Sequence, residues 1–583
     1  MSTPSPEAVT TAELAPATYE LLLDQVRIAV LAPRADPHWS LTEGFDGLSV
    51  LHVEASGNPV EIRLHVPLGD AAGYWHPQAR WQRTLLADWE GRARVSLVDG
   101  LAAGCLYDHT GATMLAFSVA DPVPEVQLRF GVSEENDTFV VHMELPALPG
   151  PHRILFVPRS ESVATAMRAL RGWYAATTSA MPVPEAARLP VYSTWYAFNQ
   201  QVDAEAVETQ ARLAARLGCG VLILDDGWQR LGSGRGYAGC GDWLPDTDKF
   251  PDFAGHVARV KALGLRYMAW VAPLLVGPAA DCYPQWAASA PAPARAPGAY
   301  VLDPRRPEVR RHVVEMCTAL VRDHGLDGLK VDFVDEAMVY AGDGGDIGHA
   351  LTELLTDLRT ALQKVRPELL LELRQPYVGP GMAAYGNMLR SFDCPADATA
   401  NRVRTIDTSL LAVGGTVHSD MLLWDPSGPL EAAVRQFIGA FHSVPQLSVR
   451  LDTLPPEQLE ALGFWLGQWR RLRPQLLDGR VEPGRPDDLY PVVESRANGV
   501  CVVSVHSERA VSLRLTAFDE TVLVNGSDVD RLVVDVRDPG AAVDIDVHSS
   551  SGRIIEQGRI DLPPGLHSLP VPRMGLAVVR RSS

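Results

Sequence analysis

The chain has 583 residues, of which 46% are hydrophobic and 21% charged, and its formal net charge is −19. These proportions suit a globular protein and exclude wholesale disorder, and the acidic balance argues against nucleic acid or an anionic membrane surface as a partner. No apolar run of about 18 residues is present, so no helix is expected to span a bilayer. At about 150 residues per domain the length predicts three or four domains, and a barrel of about 250 residues would absorb two of them.

Residues 1–16 are rich in Pro, Ser, Thr, Ala and Glu and are expected to form a disordered tail without a basic, apolar secretory leader. The seven cysteines contain no Cys-x-x-Cys pair, so free thiols in a reducing, cytoplasmic setting are expected. Without a leader, Asn136-Asp137-Thr138 and Asn525-Gly526-Ser527 read as ordinary turns despite their glycosylation pattern.

From 17 to 187 short alternating runs such as Arg27–Leu31, Glu61–Val66 and Val140–Leu145, separated by Gly, Pro and Asp, predict a β-sandwich. From 188 to 483 the pattern changes to strand, then helix, repeated. The predicted strands are Val191–Phe198, Gly220–Asp226, Arg266–Ala272, Gly328–Val334, Leu369–Arg374, Met388–Phe392, Thr416–Leu423 and Gln446–Leu451. Helical stretches such as Ala204–Leu217, Pro307–His324, Ile347–Val365 and Leu430–Phe441 lie between them, and the whole reads as a (β/α)8 barrel. A doubly wound sheet would want a Gly-rich phosphate turn after its first strand, and Trp195–Gln200 offers none. From 484 to 583 the alternation returns and predicts a C-terminal antiparallel β-sandwich.

Barrel enzymes place their chemistry at the C-terminal ends of the strands. The second predicted strand ends in Asp225-Asp226-Gly227-Trp228, and adjacent acids followed by Trp suit the capture of a polyol. The third ends in Trp270, the fifth in Glu372-Leu373-Arg374, and the first in Thr194-Trp195. On the fourth, Lys330 and Asp332 share a face by the period-two rule, and Lys330 is one of only four lysines. A Lys beside Asp332 is expected to hold its carboxyl ionised and available as a nucleophile. After the sixth strand come Asp393 and Asp397, either of which could be the proton donor. His418 and Asp420 share a face of the seventh and are candidates for lining the site; Trp424 reads equally as a sugar platform or as core. No His-x-His or His-Glu-x-x-His spacing supports a metal site, and no cofactor is expected.

Ser193-Thr194-Trp195-Tyr196-Ala197-Phe198, Leu224-Asp225-Asp226-Gly227-Trp228-Gln229 and Leu329-Lys330-Val331-Asp332 resemble glycoside hydrolase family 36, the α-galactosidases and raffinose synthases. The resemblance implies a retaining double displacement on an α-galactoside. Asp332 would be the nucleophile, Asp393 or Asp397 the acid/base, and Asp225 and Asp226 the holders of the sugar's 4- and 6-hydroxyls. Lys330 would also grip the sugar, and Trp270 would line its pocket. The chain departs from the family at Arg374-Gln375-Pro376-Tyr377, where a Cys-Ser-Gly-Gly-Gly-type turn is usual, and at Arg390, where Trp is usual. The expected function is therefore a retaining α-galactosidase acting on small oligosaccharides. A raffinose synthase-like transglycosylase and an α-glycosidase for another glycone, such as α-N-acetylgalactosamine, are the alternatives. A non-catalytic sugar-binding barrel would lack one of the two carboxylates, and candidates for both are present.

Overall fold

The structure, a computed structural model, describes residues 20–581 apart from 24, 33, 35, 45, 46, 88, 89 and 343–345. The tail expected over 1–16 lies outside the described residues.

Two six-stranded antiparallel sheets form the N-terminal sandwich. Val60–Pro67 shows why: Val60, Ile62, Leu64 and Val66 are buried, and the residues between them are not. These side chains meet Leu51, Phe117 and Ile154 of the second sheet in one core. The outer face of the second sheet carries Trp75 and Leu155 against Met167 and Leu170 of the helix Val163–Thr177, and Leu410 and Leu411 of the barrel pack against the same group. Asp407 ties the regions together. Its carboxylate accepts from Trp75 Nε1 at 2.9 Å, from Tyr490 Oη at 2.6 Å and from the Arg83 guanidinium.

The barrel is closed by eight parallel strands. They are β1 (Val191–Ser193), β2 (Val221–Leu224), β3 (Arg266–Val271), β4 (Gly328–Val331), β5 (Leu370–Arg374), β6 (Met388–Arg390), β7 (Thr416–Leu422) and β8 (Val444–Leu447). Every strand predicted from the sequence is present. Several stop two to five residues earlier than expected, because the chain leaves the ladder where the polar residues begin. The intervening helices Ala204–Leu217, Pro307–His324 and Ile347–Val365 form over the predicted residues. In Ala204–Leu217 the buried positions Val207, Gln210, Ala211 and Ala214 follow one helical face. Asp203 accepts from Ala206 N at one end, and Gly218 takes the left-handed conformation at the other. Among the described residues no helix is long and apolar enough to cross a membrane.

The C-terminal region is a seven-stranded sheet facing a three-stranded one, with Val503, Leu523, Val534 and Ile545 in the core between them. Two of its pairings are parallel, Val500–Val505 with Glu520–Asn525 and Ala510–Leu513 with Leu532–Val536; the others are antiparallel. The far side of the larger sheet, through Val502, Val522 and Leu576, joins the barrel core beside Trp465 and Trp469 of the helix Pro456–Asp478.

Candidate active site

A hollow of about 90 Å³ opens at the C-terminal ends of the barrel strands. Just past β2, Asp225 and Asp226 enter it because the chain turns sharply at Gly227, where φ is +113°. A Cβ there would stand 2.5 Å from the Cα of Gln200, so only glycine fits the turn. Asp225 accepts from Lys330 Nζ at 2.6 Å and from Ser193 Oγ at 3.3 Å. Asp226 accepts from the side-chain amides of Gln200 and Gln229, both at 2.7 Å. Burial pushes the Asp226 carboxyl up to about 6, against those two amides and with the charges of Asp225 and Asp332 adding to the rise.

Asp332 lies one residue past β4. Its own N–H donates to Val271 O, and Phe333 behind it takes a left-handed φ of +57°, a conformation that costs an aromatic residue energy and re-aims the chain. Oδ1 accepts three hydrogen bonds, from Arg374 Nε at 2.6 Å, Phe333 N at 2.7 Å and Tyr377 Oη at 3.0 Å. Oδ2 accepts one, from Trp270 Nε1 at 3.0 Å. Oδ2 is thus the oxygen with a lone pair to spare.

Burial alone would raise the Asp332 carboxyl. The Arg374 guanidinium against it, then the Lys330 ammonium and the Trp270 N–H, instead hold it well below the usual carboxylate range. Sequence spacing assigns that work to Lys330. In the structure Lys330 reaches across the barrel to Asp225, and Arg374 makes the direct ion pair. Period-two alternation puts Lys330 and Asp332 on one face, but the lysine's long stem lets its ammonium settle two strands away.

Arg374 is accordingly a positioning residue for Asp332. Because the Asp332 pKa is depressed, the carboxylate stays ionised as pH falls. Arg374→Met should raise that pKa, so the acidic limb of the kcat/KM profile moves to higher pH. A limb that stays in place would show that Arg374 does not tune Asp332.

Asp393 follows β6 at the same hollow, and its side chain is 56% exposed. Arg390 Nη1 donates to Asp393 Oδ1 at 2.8 Å and to the buried Asp420 Oδ1 at 2.7 Å. Burial pushes Asp393 up, but Arg390 and Lys330 more than offset this and bring it below its usual value, while the charge of Asp332 works the other way. Asp420 and Glu372 lie beneath, both raised chiefly by burial.

The structure brings Trp195, Asp225, Asp226, Trp270, Lys330 and Asp332 to the hollow, together with Arg374 and Asp393. It does not bring Asp397, His418 or Asp420 there. Asp397 caps the helix Ala398–Leu411, accepting from Ala400 N at 2.9 Å. His418 donates from Nε2 to Ala187 O at 2.9 Å below the floor, and burial lowers it to about 4. Asp420 supports from underneath, accepting from Tyr196 Oη and Cys394 N. Trp424 is core, donating to Gln458 Oε1, and Trp228 is fully buried with its indole N–H on Trp270 O.

Tyr237, Phe333, Arg390 and Met421 also line the hollow. Tyr237 and Phe333 meet edge to face at 5.2 Å. Tyr237 comes from the long loop after β2, where no periodicity marks it; Arg390 stood out in the sequence only as a departure from the family. Among the described residues no group of three or more His, Cys, Asp or Glu could hold a metal ion.

Residues 184–372 match the family model described as Melibiase. An α-galactosidase of Escherichia coli is 31% identical over 169 residues, which are 28% of this chain and 24% of that protein. The α-galactosidase AgaA of Geobacillus stearothermophilus is 31% identical over 148 residues, 24% of this chain and 19% of that protein. The chain thus spans about a quarter of the length of the curated relatives it matches. A crystal structure of a variant of AgaA, a family 36 α-galactosidase, in complex with stachyose superposes with a TM-score of 0.64 at 16% identity, over 97% of this chain and 85% of that one. The Thermus thermophilus α-galactosidase in complex with p-nitrophenyl α-D-galactopyranoside gives 0.57 at 18% identity, over 77% and 94%. At those identities the likeness is one of fold. In the sequence of its barrel the chain is similar to the Melibiase family and to α-galactosidases, and in its fold it is like the family 36 α-galactosidase AgaA.

Proposed function

We propose that the protein is a retaining α-galactosidase that hydrolyses terminal α-galactosides through a covalent glycosyl-aspartate. The observation that carries this reading is the pairing of two unlike carboxylates on one hollow: Asp332, buried and held ionised by Arg374, and Asp393, partly open to solvent. Asp332 Oδ2 attacks the anomeric carbon while Asp393 protonates the glycosidic oxygen, giving a β-linked ester. Asp393 then takes a proton from water, which attacks from the vacated face, and the anomeric configuration is retained. The charge of Asp332 disfavours ionisation of Asp393. Ester formation removes that charge, so Asp393 gives up its proton more readily and stands ionised when it must act as base.

Asp225 and Asp226 accept hydrogen bonds from the sugar hydroxyls, and Lys330, already on Asp225, fixes their geometry. With burial pushing Asp226 up to about 6, protonation below that pH reduces its acceptor capacity. KM should therefore rise as pH falls through about 6 while kcat changes less; a flat KM from pH 7 to 5 would remove Asp226 from sugar binding.

A panel of nitrophenyl glycosides tests the glycone. The α-galactoside should be cleaved fastest, and preference for the α-N-acetylgalactosaminide would overturn the assignment. A second reading, transfer to a sugar acceptor instead of water, is favoured by a cleft of about 460 Å³ bordering Asp393. Product analysis with excess sucrose separates transfer from hydrolysis. The seven cysteines are all free thiols, which suits the reducing cytoplasm as the site of action.

A further inference from the structure

Asp393 lines two hollows. One is the sugar-sized pocket above. The other is the 460 Å³ cleft, a volume within the range of small-molecule sites, between the N-terminal sandwich and the barrel. Gln375, Pro376 and Phe392 form its barrel wall, and Arg80, Trp81 and Arg92 belong to the sandwich wall.

The chemistry of this cleft runs against that of the chain. In a protein of net charge −19, five arginines and three aspartates line it. Some of those charges are spent. Arg83 is committed to Asp407, and Arg94 pairs with Glu125 at 2.5 Å. Asp393 is held by Arg390. Arg80 and Arg92 make no ion pair among the described residues. Arg404 lies 5.8 Å from the Phe392 ring and donates only to the carbonyls of Phe392 and Asp393. Three guanidinium groups therefore line the cleft with no carboxylate at ion-pair distance among the described residues, beside a tryptophan, Trp81, that is 52% exposed. Arg92 also lies on the edge strand Gly91–Val95, where charge discourages strand addition. That role alone would not call for Arg80 and Arg404 on the same cleft.

We propose that this cleft is the leaving-group subsite and that it selects α-galactosides whose aglycone carries an anionic group, a phosphate or a carboxylate, bound by Arg80, Arg92 and Arg404. The inference rests on the α-galactosidase reading, because Asp393 marks the leaving-group side only if it is the acid/base. Guanidinium groups suit such anions through paired N–H donors, and Trp81 offers a flat apolar face to the rest of the aglycone.

The test compares three α-galactosides with the same three-carbon leaving group: galactosyl glycerol, galactosyl glycerol phosphate and galactosyl glycerate. At low ionic strength kcat/KM for at least one anionic substrate should exceed that for the neutral one about tenfold or more, and the ratio should shrink with added salt. Which of the two leads identifies phosphate or carboxylate. In the variant Arg80→Gln/Arg92→Gln, checked for an unchanged melting temperature, the ratio should fall to about one. Equal rates on all three, or a ratio that survives in the variant, would overturn the proposal. If even p-nitrophenyl α-galactoside is not cleaved, the galactosidase reading fails instead. Calorimetric titration with glycerol phosphate, which needs no turnover, then decides the cleft: binding that the variant loses supports it, and no binding ends it.

Discussion

Asp332→Ala should lower kcat on p-nitrophenyl α-galactoside by at least about a thousandfold, because the covalent route is closed and no other carboxylate can take its place. Asp393 is paired with Arg390, and Asp225 is tied to Lys330. The shortened side chain opens space next to the sugar's anomeric carbon, into which a small anion such as azide fits. Azide should restore turnover, and the product should be β-galactosyl azide, formed by a single inversion. Recovery of the α-azide would mean that an intact nucleophile lies elsewhere. The variant also leaves Arg374 without its nearest counter-charge, so some loss of stability is expected, moderated by Asp335 at 3.8 Å. The Asp332→Asn variant keeps the shape of the side chain. It should be equally inactive, which separates lost chemistry from lost fold.

Asp393→Ala should have a different signature. General acid catalysis is worth about a hundredfold to ten-thousandfold, and that loss should appear in full on substrates with sugar leaving groups. Nitrophenolate leaves without protonation, so its release should be far less affected. Azide should again rescue, but the product should be α-galactosyl azide, since Asp332 still inverts once and azide inverts a second time. Asp397→Ala is the control. It removes a helix cap, so it should lower stability by about 1 kcal/mol and leave the rate unchanged. A catalytic loss in Asp397→Ala rather than Asp393→Ala would exchange the two roles.

Much of this architecture is written in hydrophobic period. The eight barrel strands are apolar runs such as Val221–Leu224, set between helices whose apolar positions recur every three or four residues. The polar residues that follow each run mark the barrel mouth, which is how Asp225, Asp226, Trp270 and Asp332 could be picked out. Alternation does not encode which strand pairs with which, so the two parallel pairings in the C-terminal sheets had no signal.

Nor does alternation say how far a long side chain reaches: it matches Lys330 with Asp332, whereas the ammonium lies on Asp225. The capping role of Asp397 did have a signal: an acid immediately before a helical run is a cap. The contribution of Tyr237 depends on the folding of an irregular loop, and that of the N-terminal sandwich on domain packing, which sequence pattern does not reach.

Proton NMR of p-nitrophenyl α-galactoside hydrolysis, recorded within the first turnovers before mutarotation, tests the two-carboxylate displacement most directly. α-Galactose should accumulate first, with the β-anomer appearing only as mutarotation proceeds. β-Galactose as the first product would mean that water attacks the substrate directly, and Asp332 would not be the nucleophile.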